Sequence, residues 1–217
     1  MQLSVHANTK ELTKQLNRIQ RKQIPFATMT ALNNVAFDAR SLIQKSLPRR
    51  LDRPTKGLTS SVQVEKAKDK YDPIVRVGFA SRTFGKTQWK ETPAKIMKRH
   101  IEGGTRTPSG RAIPVPILKN IKVNKFGNLP KTKIRTLLAK SDRYFSGKPK
   151  GRDAGVYERI KPTKKKPGKL KMLVSWEQST QYKGGRFPLK RIVETAIKNN
   201  YRKRFDNALQ NALRSAR

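Results

Sequence analysis

The chain has 217 residues, with 51 Lys and Arg against 14 Asp and Glu, a formal net charge of +37 at neutral pH, and no cysteine. The missing cysteines exclude disulfides, zinc–thiolate centres and thiol nucleophiles together, and no stretch approaches the roughly 20 apolar residues that a membrane-spanning helix requires. A surface this basic repels itself until a polyanion neutralises it, and nucleic acid is the commonest such partner.

Leu, Ile, Val and Phe recur along the whole chain, although apolar residues make up only 35% of it. That pattern predicts a folded protein with long basic loops, made in a reducing cytoplasm. The opening MQLSVHANTKELTKQL turns polar too soon for a signal peptide, so a soluble intracellular product is expected.

Leu3 to Val5 read as a short strand, followed by Asn8 or Thr9 as a helix N-cap before Lys10-Glu11. A first helix carries Leu12, Leu16 and Ile19, and Pro25 is expected to interrupt it. A second helix then runs from about Phe26 to Leu47, with Met29, Leu32, Ala36, Ala39, Ile43 and Leu47 spaced as one apolar stripe and Pro48 as its end. From Ser60 the period becomes two. Val62 and Val64, then Ile74 to Phe79, predict an antiparallel hairpin. Residues 92–102 form a short helix with Pro93 at its first position, closed by Gly103-Gly104.

Residues 104–153 are rich in Pro, Gly and positive charge, with Phe126-Gly127-Asn128 as a turn and Lys131–Lys140 as one helix. Strands follow at Gly155–Ile160 and Leu170–Trp176, around the exposed loop KPTKKKPGKLK (161–171). A long helix closes the sequence from about Pro188, its buried stripe being Ile192, Val193, Ala196, Ile197, Tyr201, Phe205, Ala208, Leu209, Ala212 and Leu213. The expected fold class is α+β. A mostly antiparallel sheet is packed by a long N-terminal and a long C-terminal helix, with a basic loop-rich insertion. In domain terms, residues 1–103 and 154–217 make one core and 104–153 the insertion.

The chain offers little machinery for catalysis. It has neither HExxH, Walker loop nor GxSxG, and His6 and His100 read as surface or structural histidines. A nuclease would need converging carboxylates, for which Asp153 with Glu158 is the nearest pair. Ile160 stands where a restriction-type site places a lysine. The other aspartates (Asp38, Asp52, Asp69, Asp72, Asp142 and Asp206) are scattered and mostly flanked by Lys or Arg, as in surface ion pairs. No catalytic residue, metal or cofactor is expected.

Phosphate contact suits the basic runs better. The candidate contacts are Arg106, Arg111, Lys119, Lys122, Lys125, Lys148, Lys150, Arg152, Lys164, Lys165, Lys166 and Lys169. Lys131–Lys140 is a further basic run. Phe126, Tyr144, Phe145 and Tyr157 are the aromatics available to stack on bases, or equally to fill a core. Such contacts are salt-sensitive and blind to sequence.

Two segments, read together, carry a resemblance. The helix opening ALNNVAFDAR (31–40) is followed by Asp52-Arg53-Pro54-Thr55, then a hairpin, then Ile101-Glu102-Gly103-Gly104-Thr105-Arg106, which is matched later by Gly184-Gly185-Arg186-Phe187-Pro188-Leu189. In order and spacing this resembles the minor tail protein Z or tail-completion family of long-tailed phages, over roughly residues 1–110. The resemblance implies a non-enzymatic virion component at the tail top or neck, assembled in the host cytoplasm, which helps finish the tail and position the DNA end. It implies a ring of copies, commonly a hexamer, with the tail terminator and tape measure as neighbours and the genome in its channel. No membrane partner is implied. By their own chemistry, Pro54 stiffens the chain, Asp52 or Thr55 caps the turn, and Gly103-Gly104 permits a sharp helix exit with Arg106 beyond. The alternative to this reading is a free, sequence-nonspecific nucleic-acid-binding protein.

Overall fold

The computed structural model describes residues 2–6, 18–88, 91–108, 110–164 and 167–215. It is an α+β fold whose chain divides into unit 1, residues 1–103 with 183–217, and unit 2, residues 104–182. The division falls later than composition suggests. Strands 155–160 and 169–177 belong with the Pro- and Gly-rich segment, so the return to the first unit comes at Lys183 and not at 154.

Unit 1 is built on α1 (Arg18–Arg50) and α5 (Leu189–Ser215), which pack together more extensively than any other two of the described elements. Ala31, Ala36 and Ala39 on α1 and Ala196, Ala208 and Ala212 on α5 are buried, and small side chains let helix backbones approach. Arg204 of α5 donates two hydrogen bonds, 3.0 and 2.8 Å, to the Asp38 carboxylate of α1. The predicted α1 stripe is buried at Leu32, Ala36, Ala39, Ile43 and Leu47. The α5 stripe is buried at Val193, Ala196, Ala208 and Ala212, but Leu213 is 47% exposed and faces outward.

Neither proline divides α1. Pro25 lies inside the helix with its ring fully buried, and Pro48 lies in the last turn, with Leu51 N–H still reaching Leu47 O at 2.9 Å. A helix-interior proline costs about 3 kcal/mol in isolation. Burial of the ring against the core offsets that at Pro25, while Pro48 stands two residues from an end where the ladder stops anyway. The expected caps at Asn8 or Thr9, with Leu12 and Leu16, fall outside the described residues.

Three antiparallel strands, β1 (Gln2–His6), β2 (Val62–Glu65) and β3 (Ile74–Phe79), form a sheet of order β1-β3-β2, with Val64 opposite Val77. Along β3, Val75, Val77 and Phe79 are buried while Ile74 and Arg76 face out, which is the alternation read from the sequence. Val77 and Phe79 pack with Ile43, Leu47, Val62, Met97, Phe187, Leu189 and Val193 in one core, and Val75 packs with Leu32, Ala36 and Ala67 in a second cluster. Each such side chain contributes roughly 1.5–3 kcal/mol on burial.

Two short helices finish the unit. Thr55 caps α2 (Lys56–Ser60) through its hydroxyl, which accepts from Leu58 N–H at 3.2 Å. Asp52 does not cap: its carboxylate accepts from the Arg53 guanidinium at 3.0 and 2.8 Å. Thr92 caps α3 (Pro93–Ile101), Pro93 opens it, and Gly103 closes it by donating to Arg99 O at 3.0 Å.

Unit 2 holds its own sheet, so the described strands do not form a single continuous one. The order is β5-β8-β7-β6, all antiparallel, from β5 (Ile113–Pro116), β6 (Tyr144–Gly147), β7 (Gly155–Ile160) and β8 (Lys169–Glu177). Pro114 and Pro116 alternate along β5, which lies at a sheet edge, so their missing N–H groups face away from the ladder. β4 (Gly104–Arg106) pairs with β9 (Thr180–Tyr182) as a separate ribbon. The helix expected at Lys131–Lys140 is α4 (Lys133–Leu138), and its Ile134, Leu137 and Leu138 pack on the buried Ile121, Val156, Leu173 and Val174.

Candidate nucleic-acid interface

Charge is spread over both units. Residues 104–182 contain 20 Lys and Arg against 4 Asp and Glu, while the residues of unit 1 contain 31 against 10. The surplus is therefore not confined to the middle of the chain. Among the described residues, seven of the 14 acids pair with cations: Asp38 with Arg204, Asp52 with Arg53, Glu65 with Arg76, Glu91 with Arg99, Glu102 with Lys98, Glu158 with Arg143 and Glu194 with Lys190. Exposed pairs of this kind contribute about 0–1 kcal/mol each. Their larger consequence is that few carboxylates remain for the other cations.

The sequence candidates are distributed around unit 2. Arg106 lies on β4 and is half-buried, and Arg111 is exposed in the bend before β5. Lys119 and Lys122 flank a segment docked on β8, where Ile117 N–H donates to Leu173 O at 2.9 Å and the Asn120 amide donates to Met172 O at 2.6 Å. Lys125 belongs to the turn built on Asn124, whose side chain accepts from Phe126 and Asn128 N–H, and its ammonium sits 5.3 Å from the centre of the Phe126 ring. Lys148, Lys150 and Arg152 occupy the β6–β7 connection, Lys164 the β7–β8 connection, and Lys169 is the first residue of β8. Lys165 and Lys166 lie outside the described residues. One pair of segments is brought together. Arg152 donates to Leu170 O at 3.2 Å, which ties the 148–152 run to the start of β8 beside Lys169. The others form a scattered basic surface.

The aromatics are less available than the bases would need. Tyr157 is fully buried and its hydroxyl donates to Asp153 O at 2.6 Å, so it is core and not a stacking platform. Phe145 stacks on Tyr157 at 5.7 Å, with the Arg159 guanidinium 4.3 Å over its ring. Tyr144 packs against the Val156–Val174 core. Phe126 is half-buried under Lys125.

Glu158 accepts two bonds from Arg143, at 2.8 and 2.5 Å, and its side chain is only 13% exposed. The carboxylate is thus committed to an ion pair, in a cleft of about 600 Å³ that carries both signs of charge, with Asp142, Arg159 and Lys161 around it. Among the described residues, no three His, Asp or Glu converge as metal ligands. No described helix is long and apolar enough to cross a membrane.

The structure also brings together two motifs far apart in sequence. Gly185 N–H donates to Ile101 O at 2.9 Å and Phe187 N–H to His100 O at 3.0 Å, so the Gly184–Phe187 turn lies on the end of α3. Sequence spacing gave no sign of what this does to charge: Arg186 is carried into one cleft with Arg49 and Arg50 of α1.

His100 lies under that turn, and its pKa is lowered by burial first, then by the positive charges of Arg186 and Arg99. A histidine depressed in the folded state binds fewer protons than in the unfolded chain, so stability rises with pH. Its contribution is complete above the ordinary histidine value of 6.5 and is lost as pH falls through the lower folded value. Melting temperature is expected to drop on going from pH 7.5 to 5.5 in the wild type and to drop less in His100→Gln. Equal slopes for the two proteins would remove His100 as the cause.

Compared with protein-family models, curated proteins and solved structures, the chain matches none.

Proposed function

We propose that the protein is a structural virion component of a long-tailed phage: a tail-completion or minor tail subunit at the head–tail junction, assembled as a ring and touching the genome through phosphates. The observation that carries the reading is the disposition of charge. Arg111, Lys119, Lys122, Lys125, Lys148, Lys150, Lys164 and Lys169 are exposed and form no ion pair among the described residues, while seven of the 14 acids pair with other cations. A lining of this kind holds a polyanion without reading its sequence.

Support of a second kind comes from the motifs behind the phage-tail resemblance. Asp52-Arg53-Pro54-Thr55 sets the start of α2, and the two Gly-Gly segments meet at the end of α3. Both act as scaffold, which is the role a ring subunit asks of them.

Tails assembled without this protein are expected to fail in joining heads, or to join them with the DNA end out of place, as seen by electron microscopy of the particles. Normal joining with normally positioned DNA would defeat the proposal. Tight, salt-sensitive DNA binding by a monomer that never enters tails would favour the free nucleic-acid-binding alternative.

A further inference from the structure

Ser46, Arg49 and Arg50 stand at i, i+3 and i+4 on the last turn of α1, which places them on one helix face. Arg186 joins them from the turn before α5, and the four residues line an open cleft of about 340 Å³ within unit 1. The lining contains three guanidinium groups, one hydroxyl and no acid. All three arginines are exposed, and none has a carboxylate partner among the described residues, in contrast to Arg53, Arg76, Arg99, Arg143 and Arg204.

Helix electrostatics explains part of this cluster. Cations in the last turn of α1 offset the negative end of its dipole, which accounts for Arg49 and Arg50. It does not account for Arg186. That residue precedes the N-terminus of α5, where a cation opposes the dipole, and it adds a third like charge to the cleft. Its position is nevertheless fixed. The neighbour on one side, Gly185, is hydrogen-bonded to Ile101 O, and the neighbour on the other, Phe187, is fully buried and bonded to His100 O.

We propose that Ser46, Arg49, Arg50 and Arg186 form a phosphate-binding cleft that grips a nucleic-acid backbone. The proposal rests on the nucleic-acid contact argued above and adds to it a defined site in unit 1. Guanidinium forks match phosphate oxygens two at a time, and the Ser46 hydroxyl supplies a further donor. A run of phosphates brings the charge density that answers three guanidinium groups at once and continues onto the rest of a +37 surface. A single acidic side chain does neither.

The test is a titration of a mixed-sequence DNA duplex into the full chain at several salt concentrations. Wild type is compared with Arg49→Gln/Arg50→Gln, with Arg186→Gln and, from unit 2, with Lys164→Gln/Lys169→Gln. Arg186→Gln is expected to weaken binding on the order of tenfold and to reduce the slope of log K against log salt by about 1, and the α1 double variant by about twice that slope. Thermal melting of these surface variants serves as the control for folding. Wild-type binding with unchanged affinity and slope in both cleft variants overturns the cleft and leaves the broader reading in place. Absence of any DNA binding by the wild type at low salt removes the nucleic-acid contact itself and the cleft with it. Loss of poly-glutamate binding, with DNA binding retained, assigns the cleft to an acidic protein surface and also overturns the proposal.

Discussion

Phe187→Ala is expected to lower folding stability by about 3–5 kcal/mol, the range for removing a buried aromatic from a core. Phe187 is fully buried and meets Phe79 of β3 edge to face, with ring centres 5.9 Å apart and planes at 71°. Such a pair adds about 0.5–1.5 kcal/mol beyond the area it buries. The ring also fills the space between the end of α3 and the start of α5, among Met97, Leu189 and Val193. Its removal therefore leaves a cavity whose walls belong to three different elements and do not close together. Denaturant unfolding would show a lower midpoint with an unchanged slope. Leu213→Ala is the contrasting case. Periodicity places Leu213 on the buried stripe of α5, but it is 47% exposed, and its loss is expected to stay within about 0.5 kcal/mol. A Phe187→Ala penalty below about 1 kcal/mol would mean that this core is not packed as described.

The contrast between Phe187 and Leu213 illustrates what the sequence reveals. Period and capping are local signals, and they locate the α1 stripe from Leu32 to Leu47, the β2–β3 hairpin, the Thr92–Pro93 start of α3 and most of α5. Period says which residues share a face; it does not say how far along a helix a neighbour continues to cover that face. Leu213 lies where the cover runs out. Pro25 fails as a boundary for the same reason, because what keeps the helix intact is burial of the ring by other parts of the chain.

Unit 2 is harder to read because its strands break the usual composition rules at their edges. Pro114 and Pro116 look like loop residues until β5 is seen to be an edge strand whose bonded residues are the ones between. β6 carries Tyr144 and Phe145, which composition leaves open as stacking platforms. Pairing with β7 places Phe145 opposite the buried Tyr157. The described basic candidates other than Arg106 are exposed, yet their grouping is not legible in the sequence. Arg152 reaches Leu170 through a long-range hydrogen bond, and Arg186 reaches Arg49 and Arg50 from the opposite end of the chain. Nothing in one-dimensional spacing encodes either meeting.

The adjacent glycines 184 and 185 offer the sharpest separation of two physical causes. A Cβ at Gly184 would stand 2.7 Å from Glu102 O and 2.8 Å from its carbonyl carbon, both rigid backbone at the end of α3. A Cβ at Gly185 would meet nothing within 4 Å, but that residue sits at φ +78°. Gly185→Ala should therefore cost only the left-handed penalty, about 1–2 kcal/mol, and Gly185→Asn less. Gly184→Ala must push the turn off α3, as overpacking against an atom that cannot rotate away, at about 3 kcal/mol or more. The same displacement loosens the bonds from Gly185 to Ile101 and from Phe187 to His100, and these are what hold Arg186 over the cleft with Arg49 and Arg50. Gly184→Ala is thus expected to weaken DNA binding even under conditions where the protein remains folded, to about the level of Arg186→Gln, while Gly185→Asn leaves binding near wild type. Equal stability losses at the two glycines would show that close approach to Glu102 is not what fixes the turn. Wild-type DNA affinity in a folded Gly184→Ala protein would separate the turn from the cleft it is argued to build.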